Sequence, residues 1–257
     1  MAADASPSSI RDFFDGVSDT DVSLITVNRT RPRPVQELLA DAFGTQSVDL
    51  FERSLPREGD DIVALRKDGG ISAISSLNEL MQSFLLVNAD RFKTGTKGFD
   101  EGIPDVLEGM DETLFDLWGY PASNKEKLLL ILISRHIERL AYETGEGRLR
   151  STFQRLSRLE DELGTKKVYE RLAGRTVDVH VYGVPDGAPE QLDVTVHRGT
   201  SDEYWNSWCV VFRPPDGNDE NGAALLAHQQ EPNRWEGFWT YDPDTVARID
   251  GYLARSF

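Results

Sequence analysis

One cysteine in 257 residues, Cys209, leaves no intramolecular disulfide to form. It sits in the apolar run Trp208-Cys209-Val210-Val211-Phe212 and reads as a small buried hydrophobe, not a nucleophile. Histidine is also scarce: His136, His180, His197 and His228 are scattered, without the close pairing of a zinc site. The greasiest run, Leu128 to Ile133, is far shorter than the ~20 residues of a membrane helix. The first residues show no basic segment followed by an apolar stretch, so no secretory signal is read there. These absences point to a cytoplasmic protein with no membrane partner. Signature loops are missing too. "TGTKG" and "LGTKK" lack the spacing and hydroxyl partner of a phosphate-binding loop, and no Gly-x-Ser-x-Gly elbow occurs. The expectation is a chain that is not an enzyme, with no catalytic residue and no metal ligand to name and its cofactors unknown.

What is abundant is negative charge. There are 44 acidic against 28 basic residues, a formal net charge of −16. Such a surface repels nucleic acid unless its basic groups are segregated on one face. The segment "LSRLEDELGTKKVYERLAG" has the glycine turn of a helix-turn-helix, yet Glu160, Asp161, Glu162 and Glu170 crowd it. No nucleic-acid partner is therefore expected. Lysines number 7 against 21 arginines, and 25 of the acids are aspartate. That composition suits molar salt, where screening shortens self-repulsion to roughly 3 Å, so the chain reads as halophilic. "DGNDENG" is a solvated acidic turn: the sixth and twelfth positions of a calcium loop begun at Asp216 are Asn221 and Ala227, not Gly and Glu.

Along the chain, "DVSLITVN" and "SVDLFER" read as strands around a helix "VQELLADAF", which favours a parallel pair. "DIVALRKDGGISAISS" is a hairpin about Asp68-Gly69, followed by the helix "LNELMQSFLL". Residues 88–109 carry little periodicity and read as a loop open to motion. From Ser123 the spacing predicts a helix, apolar all round at Leu128–Ile133 and ending at Gly145 and Gly147. Leu149, Phe153, Leu156, Leu159 and Leu163 then continue at spacings of three and four, so a helical hairpin is predicted. Five candidate strands follow: "VDVHVYG", "LDVTVHR", "SWCVVFRP", "AALLAHQ" and "GFWTYD". A short helix at "TSDEYWNS" and a last one capped by Asp242 or Asp244 complete the reading. The predicted fold is α/β: one domain, 1–257, with a mixed sheet built from strands of both chain ends and packed by the central hairpin. An α+β arrangement is the alternative.

The tracts "SNKEKLLLILISRHIERLAYETGEGRLRSTFQRLSRLEDE", "VYERLA" and "VDVHVYGVPD" resemble the DICT family, named for diguanylate cyclases and two-component systems. Ser134-Arg135, Ile137-Glu138, Ala141, Gly147, Phe153-Gln154, Ser157, Tyr169 and the run Val179 to Asp186 carry the likeness. The terminal "GFWTYDPDTVARIDGYL" is similar to the ending of haloarchaeal members. The resemblance implies a stand-alone archaeal sensory or regulatory module that recognises a small ligand, a protein partner or a second copy of itself. A ligand pocket is expected where the hairpin corner meets the aromatic strand ends, from Arg135, Glu138, Phe153, Gln154, Trp208, Trp239 and Tyr241. Aromatic walls would supply burial and Arg135 a fork of donors. The rival readings are an enzyme built on Arg135, Glu138 and Tyr241, a DNA-associated regulator, and a scaffold with a large exposed apolar patch.

Overall fold

The computed structural model describes residues 7–17, 21–30, 48–54, 61–90, 99, 102–118, 126–161, 163–187, 192–218, 221–232 and 234–257. Near the start, β1 (Val22–Val27) is paired on both edges, in parallel with β2 (Val48–Arg53) and antiparallel with β3 (Ile62–Lys67). Asp68 and Gly69 take φ of 52° and 82° to turn β3 into β4 (Gly70–Ser76), the positive-φ geometry a tight hairpin needs. The order of this sheet is β2-β1-β3-β4. The parallel β1–β2 pair agrees with the β-α-β reading; the helix expected over 35–43 lies outside the described residues.

The second sheet has seven strands, in the order β5-β11-β10-β9-β6-β7-β8. They are β5 (Phe115–Trp118), β6 (Glu146–Arg155), β7 (Thr176–Val184), β8 (Thr195–Arg198), β9 (Ser207–Arg213), β10 (Ala223–Glu231) and β11 (Arg234–Thr240). β6–β7 and β7–β8 are parallel and the other pairs antiparallel. The helices are α1 (Leu77–Asp90), α2 (Asp105–Glu108), α3 (Glu126–Thr144), α4 (Arg158–Asp161), α5 (Leu163–Ala173), α6 (Asp202–Asn206) and α7 (Pro243–Ser256). The class is α/β, with mixed sheets. Of the 88–109 stretch, Phe99, Ile103, Val106 and Leu107 are buried, so the described part is packed.

Two expectations need correction. Strands from the two chain ends do not share one sheet. β1 has both edges filled by its own neighbours in sequence, and the partner of β11 beyond β10 is β5, from mid-chain. Nor does the chain return as a helix directly after Gly147: the first part of the segment expected as the second arm is β6, which pairs with β7 on one side and β9 on the other, and helix resumes only in α4 and α5. The spacing misled because residues 149 and 153 share a face both in a helix (four apart) and in a strand (period two). What decides is tertiary pairing. Gly145 closes α3 at φ 77°, its N–H donating to the Ala141 carbonyl at 2.9 Å. Gly147 follows at φ 104°, where a Cβ would lie 2.6 Å from the Arg213 carbonyl oxygen. Glycine at 147 lets β6 run against β9.

Sheet and helices meet in one cluster of buried side chains, from Val22 and Leu24 through Leu130, Ile133 and Ile137 of α3 to Val179, Val210 and Leu225. Each buried aliphatic of α3 contributes about 1.5–3 kcal/mol by leaving water. On the opposite face of the large sheet a second cluster joins Ile10 and Phe13 to Cys209, Phe238, Ile249 and Leu253. Asp242 caps α7, accepting from the Thr245 N–H at 2.8 Å, and Pro243 starts it. Among the described residues no helix is long and apolar enough to cross a membrane. β9 is thus the strand with α3 over one face and α7 over the other, and β6 runs beside it.

Candidate functional site

α3 lays Ser134, Arg135 and Glu138 against β6 and β9, and α5 brings Thr165 and Tyr169 to the same place. Between them lies a cavity of about 50 Å³, room for three or four waters. Its apolar walls are Ile131, Phe153, Trp208 and Val210; Gln154 and Arg158 also line it. Phe153 meets Tyr169 edge to face, ring centroids 5.4 Å apart.

The polar lining falls into two kinds. The first is paired. Arg135 donates to Glu138 Oε2 at 2.5 Å and to Thr165 Oγ1 at 2.8 Å, all three residues being buried. The Trp208 indole N–H donates to Ser134 Oγ at 2.9 Å, and Ser134 donates onward to the Leu130 carbonyl at 2.7 Å. Arg158 donates to Gln154 Oε1. The second kind is three hydroxyls, on Ser151, Tyr169 and Ser207, each on a residue at most 1% exposed and without a hydrogen-bond partner. Ser151 and Glu138 lie close enough to the Tyr169 hydroxyl to influence its ionisation, but neither makes a well-formed hydrogen bond with it. Burial, with the Glu138 charge beside it, holds the Tyr169 hydroxyl well above the usual phenol range, so it stays protonated and able to donate. A buried polar group left unpaired costs about 1–3 kcal/mol. Three such groups line this one cavity.

Of the seven side chains expected at the site, the structure gathers five at this cavity: Arg135, Glu138, Phe153, Gln154 and Trp208. Two lie elsewhere. Trp239 is core, 1% exposed and packed on Phe115 at 5.9 Å between centroids. Tyr241 bonds His136 Nε2 at 3.1 Å and lines a shallow depression with Asp105, Glu108 and Asp111. β10 and β9 stand between β11 and β6, which keeps both away from the cavity. Sequence reasoning missed Ser151, Thr165, Tyr169 and Ser207 as lining. Their signal was small and polar residues at core-facing positions: Ser151 stands between Leu149 and Phe153 on one face of β6, and Ser207 opens the apolar β9.

A second polar group occupies the other face of β6. Arg150 donates to Asp250 Oδ1 of α7 at 2.6 Å and to the Tyr182 hydroxyl. Tyr182 stacks on His197 at 4.3 Å, and His197 Nε2 meets His180 Nδ1 at 2.9 Å. His180 Nε2 in turn meets Asp178 at 3.0 Å. Here every ring and charge has a partner. Among the described residues no three His, Cys, Asp or Glu side chains are grouped to hold a metal ion. Burial pushes the Cys209 thiol up to about 12, which leaves it without nucleophilic character at neutral pH.

Residues 105–230 match the family described as a sensory domain in diguanylate cyclases and two-component systems, DICT. This stretch of the chain is a DICT domain. The DICT span contains all of α3, β6, α5 and β9, and hence every residue lining the cavity. It excludes β11 and α7. No curated protein matches the chain. Among solved structures, the polyphosphate kinase from Porphyromonas gingivalis is similar at 10% identity and a TM-score of 0.33, over 95% of this chain and 47% of that one. The chain thus spans about half the length of that enzyme, and a likeness so low carries no argument about either fold or activity.

Proposed function

We propose that the chain is a ligand-responsive sensory module, not a catalyst, whose input is a small molecule held in the cavity between α3, β6, α5 and β9. The DICT match supports the sensory role; the observation that carries the ligand reading is the trio of unpartnered buried hydroxyls, on Ser151, Tyr169 and Ser207, around an open volume. An acid–base enzyme would need titratable groups converging on a reacting atom. At this cavity the one carboxylate, Glu138, is engaged by Arg135. Output runs through β6. Ser151 faces the cavity, while the next-door Arg150 holds α7 through Asp250, so a shift of the strand on filling reaches the C-terminal helix. That replaces the helical hairpin as the transmitting element, with a small molecule as the stimulus and a protein partner downstream.

The test is a spectrum. The Trp208 indole N–H, a wall of the cavity, reports occupancy by its ¹H–¹⁵N signal, assigned through a Trp208→Phe variant. A metabolite extract of the native host is expected to move that signal in wild-type protein and to leave it in place in Ser151→Val, which fills part of the cavity. An extract that moves nothing, or moves both proteins equally, would sink the reading.

A further inference from the structure

Resting on the reading of the cavity as the ligand site, we infer that its ligand is a neutral, compact molecule dense in hydrogen-bonding groups, of the amide, urea or short-polyol class. Charge is the first argument. The one buried cation at the floor, Arg135, is already engaged by Glu138 and Thr165, and Arg158 at the wall by Gln154. An incoming anion would have to give up its hydration and lie beside Glu138 with Arg135's charge already engaged. An incoming cation would gain Glu138 only by sharing it with Arg135. Either charge is costly beside an ion pair this buried.

Hydrogen-bond complementarity points the same way. What the cavity leaves unmatched is three hydroxyls, on Ser151, Tyr169 and Ser207. Each donates one hydrogen bond and accepts others, so together they fit a molecule carrying both donors and acceptors. Neutral amides, ureas and diols do; hydrocarbons do not. Phe153 and Trp208 supply flat apolar walls for the carbon face of such a molecule. Size narrows the class further. About 50 Å³ admits a ligand on the scale of three or four waters. With so few atoms, and a ceiling on binding energy per atom, its dissociation constant falls roughly between 0.05 and 5 mM. Such a sensor answers to an abundant solute, not to a trace messenger.

Four probes of one planar shape and nearly one size separate the possibilities: acetamide and urea (neutral), acetate (anionic) and guanidinium (cationic). Each is titrated to ~20 mM at constant ionic strength, below denaturing concentrations, while the Trp208 indole signal is followed. Acetamide or urea is expected to shift it saturably, with at least roughly tenfold weaker responses to acetate and guanidinium, and Ser151→Val is expected to abolish the shift. Tighter binding of acetate or guanidinium overturns the neutral class yet leaves the cavity a ligand site. If none of the four moves Trp208 while the host extract does, the class is wrong and the sensory reading stands. If neither probes nor extract move it, both fall.

Discussion

Two buried arginine–carboxylate pairs lie against opposite faces of the same strand, and one of them borders the cavity. On the α7 face, Arg150 is held by Asp250 and the Tyr182 hydroxyl, and the Tyr182 ring stacks on His197 beside them. On the α3 face, Arg135 and Glu138 sit beside empty volume and three unmatched hydroxyls. Burial and charge are alike in both places. The difference is what remains unsatisfied, and that difference is the better pointer to function. A fully partnered cluster fixes the fold; a partly satisfied one with room beside it is where we propose an occupant.

The largest expected effect lies on the closed side. Asp250→Ala strands the Arg150 charge in a buried place, which should cost about 3–5 kcal/mol in urea unfolding. A loss below ~1 kcal/mol would show that water reaches Arg150 and that the two faces are not different in kind.

Acid gives the next effect. Burial, and then the Arg139 charge, lower His136 from 6.5 to about 4. Burial likewise lowers His197, with His180 and Arg150 adding to it, and His228, with Arg11. A histidine depressed in the fold binds its proton more readily when unfolded. Its contribution is therefore complete above about pH 6.5 and is lost as pH falls toward the folded value. For His136 the loss is about 3 kcal/mol between those limits. Glu108, Glu203 and Glu236, raised by burial, act in the opposite sense as they take up protons. The isolating measurement is unfolding at pH 7 and 4.5 for wild type and His136→Leu. The variant should lose less stability on acidification; equal losses would remove His136 from the account.

Smaller, but sharper, is one substitution made on both faces. Tyr182→Phe removes a hydroxyl that Arg150 uses and should destabilise by about 1–2 kcal/mol. Tyr169→Phe removes an unpartnered one and should change stability by less than about 0.5 kcal/mol, or raise it. Equal costs would mean that the Tyr169 hydroxyl is structural. The smallest effect per group is that of salt. With a surplus of 16 negative charges, the melting temperature should rise from low to molar salt as carboxylate repulsion is screened and apolar burial strengthens. A flat or falling curve would remove the halophilic interpretation.

How much of this was legible in the sequence depends on the range of the forces involved. The β3–β4 hairpin, the C-terminal strands and the Asp242 cap were readable because turn chemistry, period-two alternation and capping are local. The β6 strand was not. Its Leu149 and Phe153 fit both periods, and only pairing with β7 and β9, distant in sequence, decides. Sheet membership failed for a similar reason, since β11 chose β5 over any N-terminal strand. At the site, Arg135, Glu138, Phe153, Gln154 and Trp208 came together because a helix and two strands carry them past one point. Trp239 and Tyr241 looked alike in composition, but β10 and β9 stand between their strand and β6. The hydroxyls of Ser151, Tyr169 and Ser207 stand out only once burial is known.

The most direct test of the central claim is a high-resolution crystal structure of the protein, inspected at the two faces of β6. The account predicts density for ordered water or a small molecule within hydrogen-bond distance of Ser151, Tyr169 and Ser207, and none wedged beside Arg150 and Asp250. A closed pocket in which the three hydroxyls bond directly to one another or to Glu138, with no occupant, would contradict it.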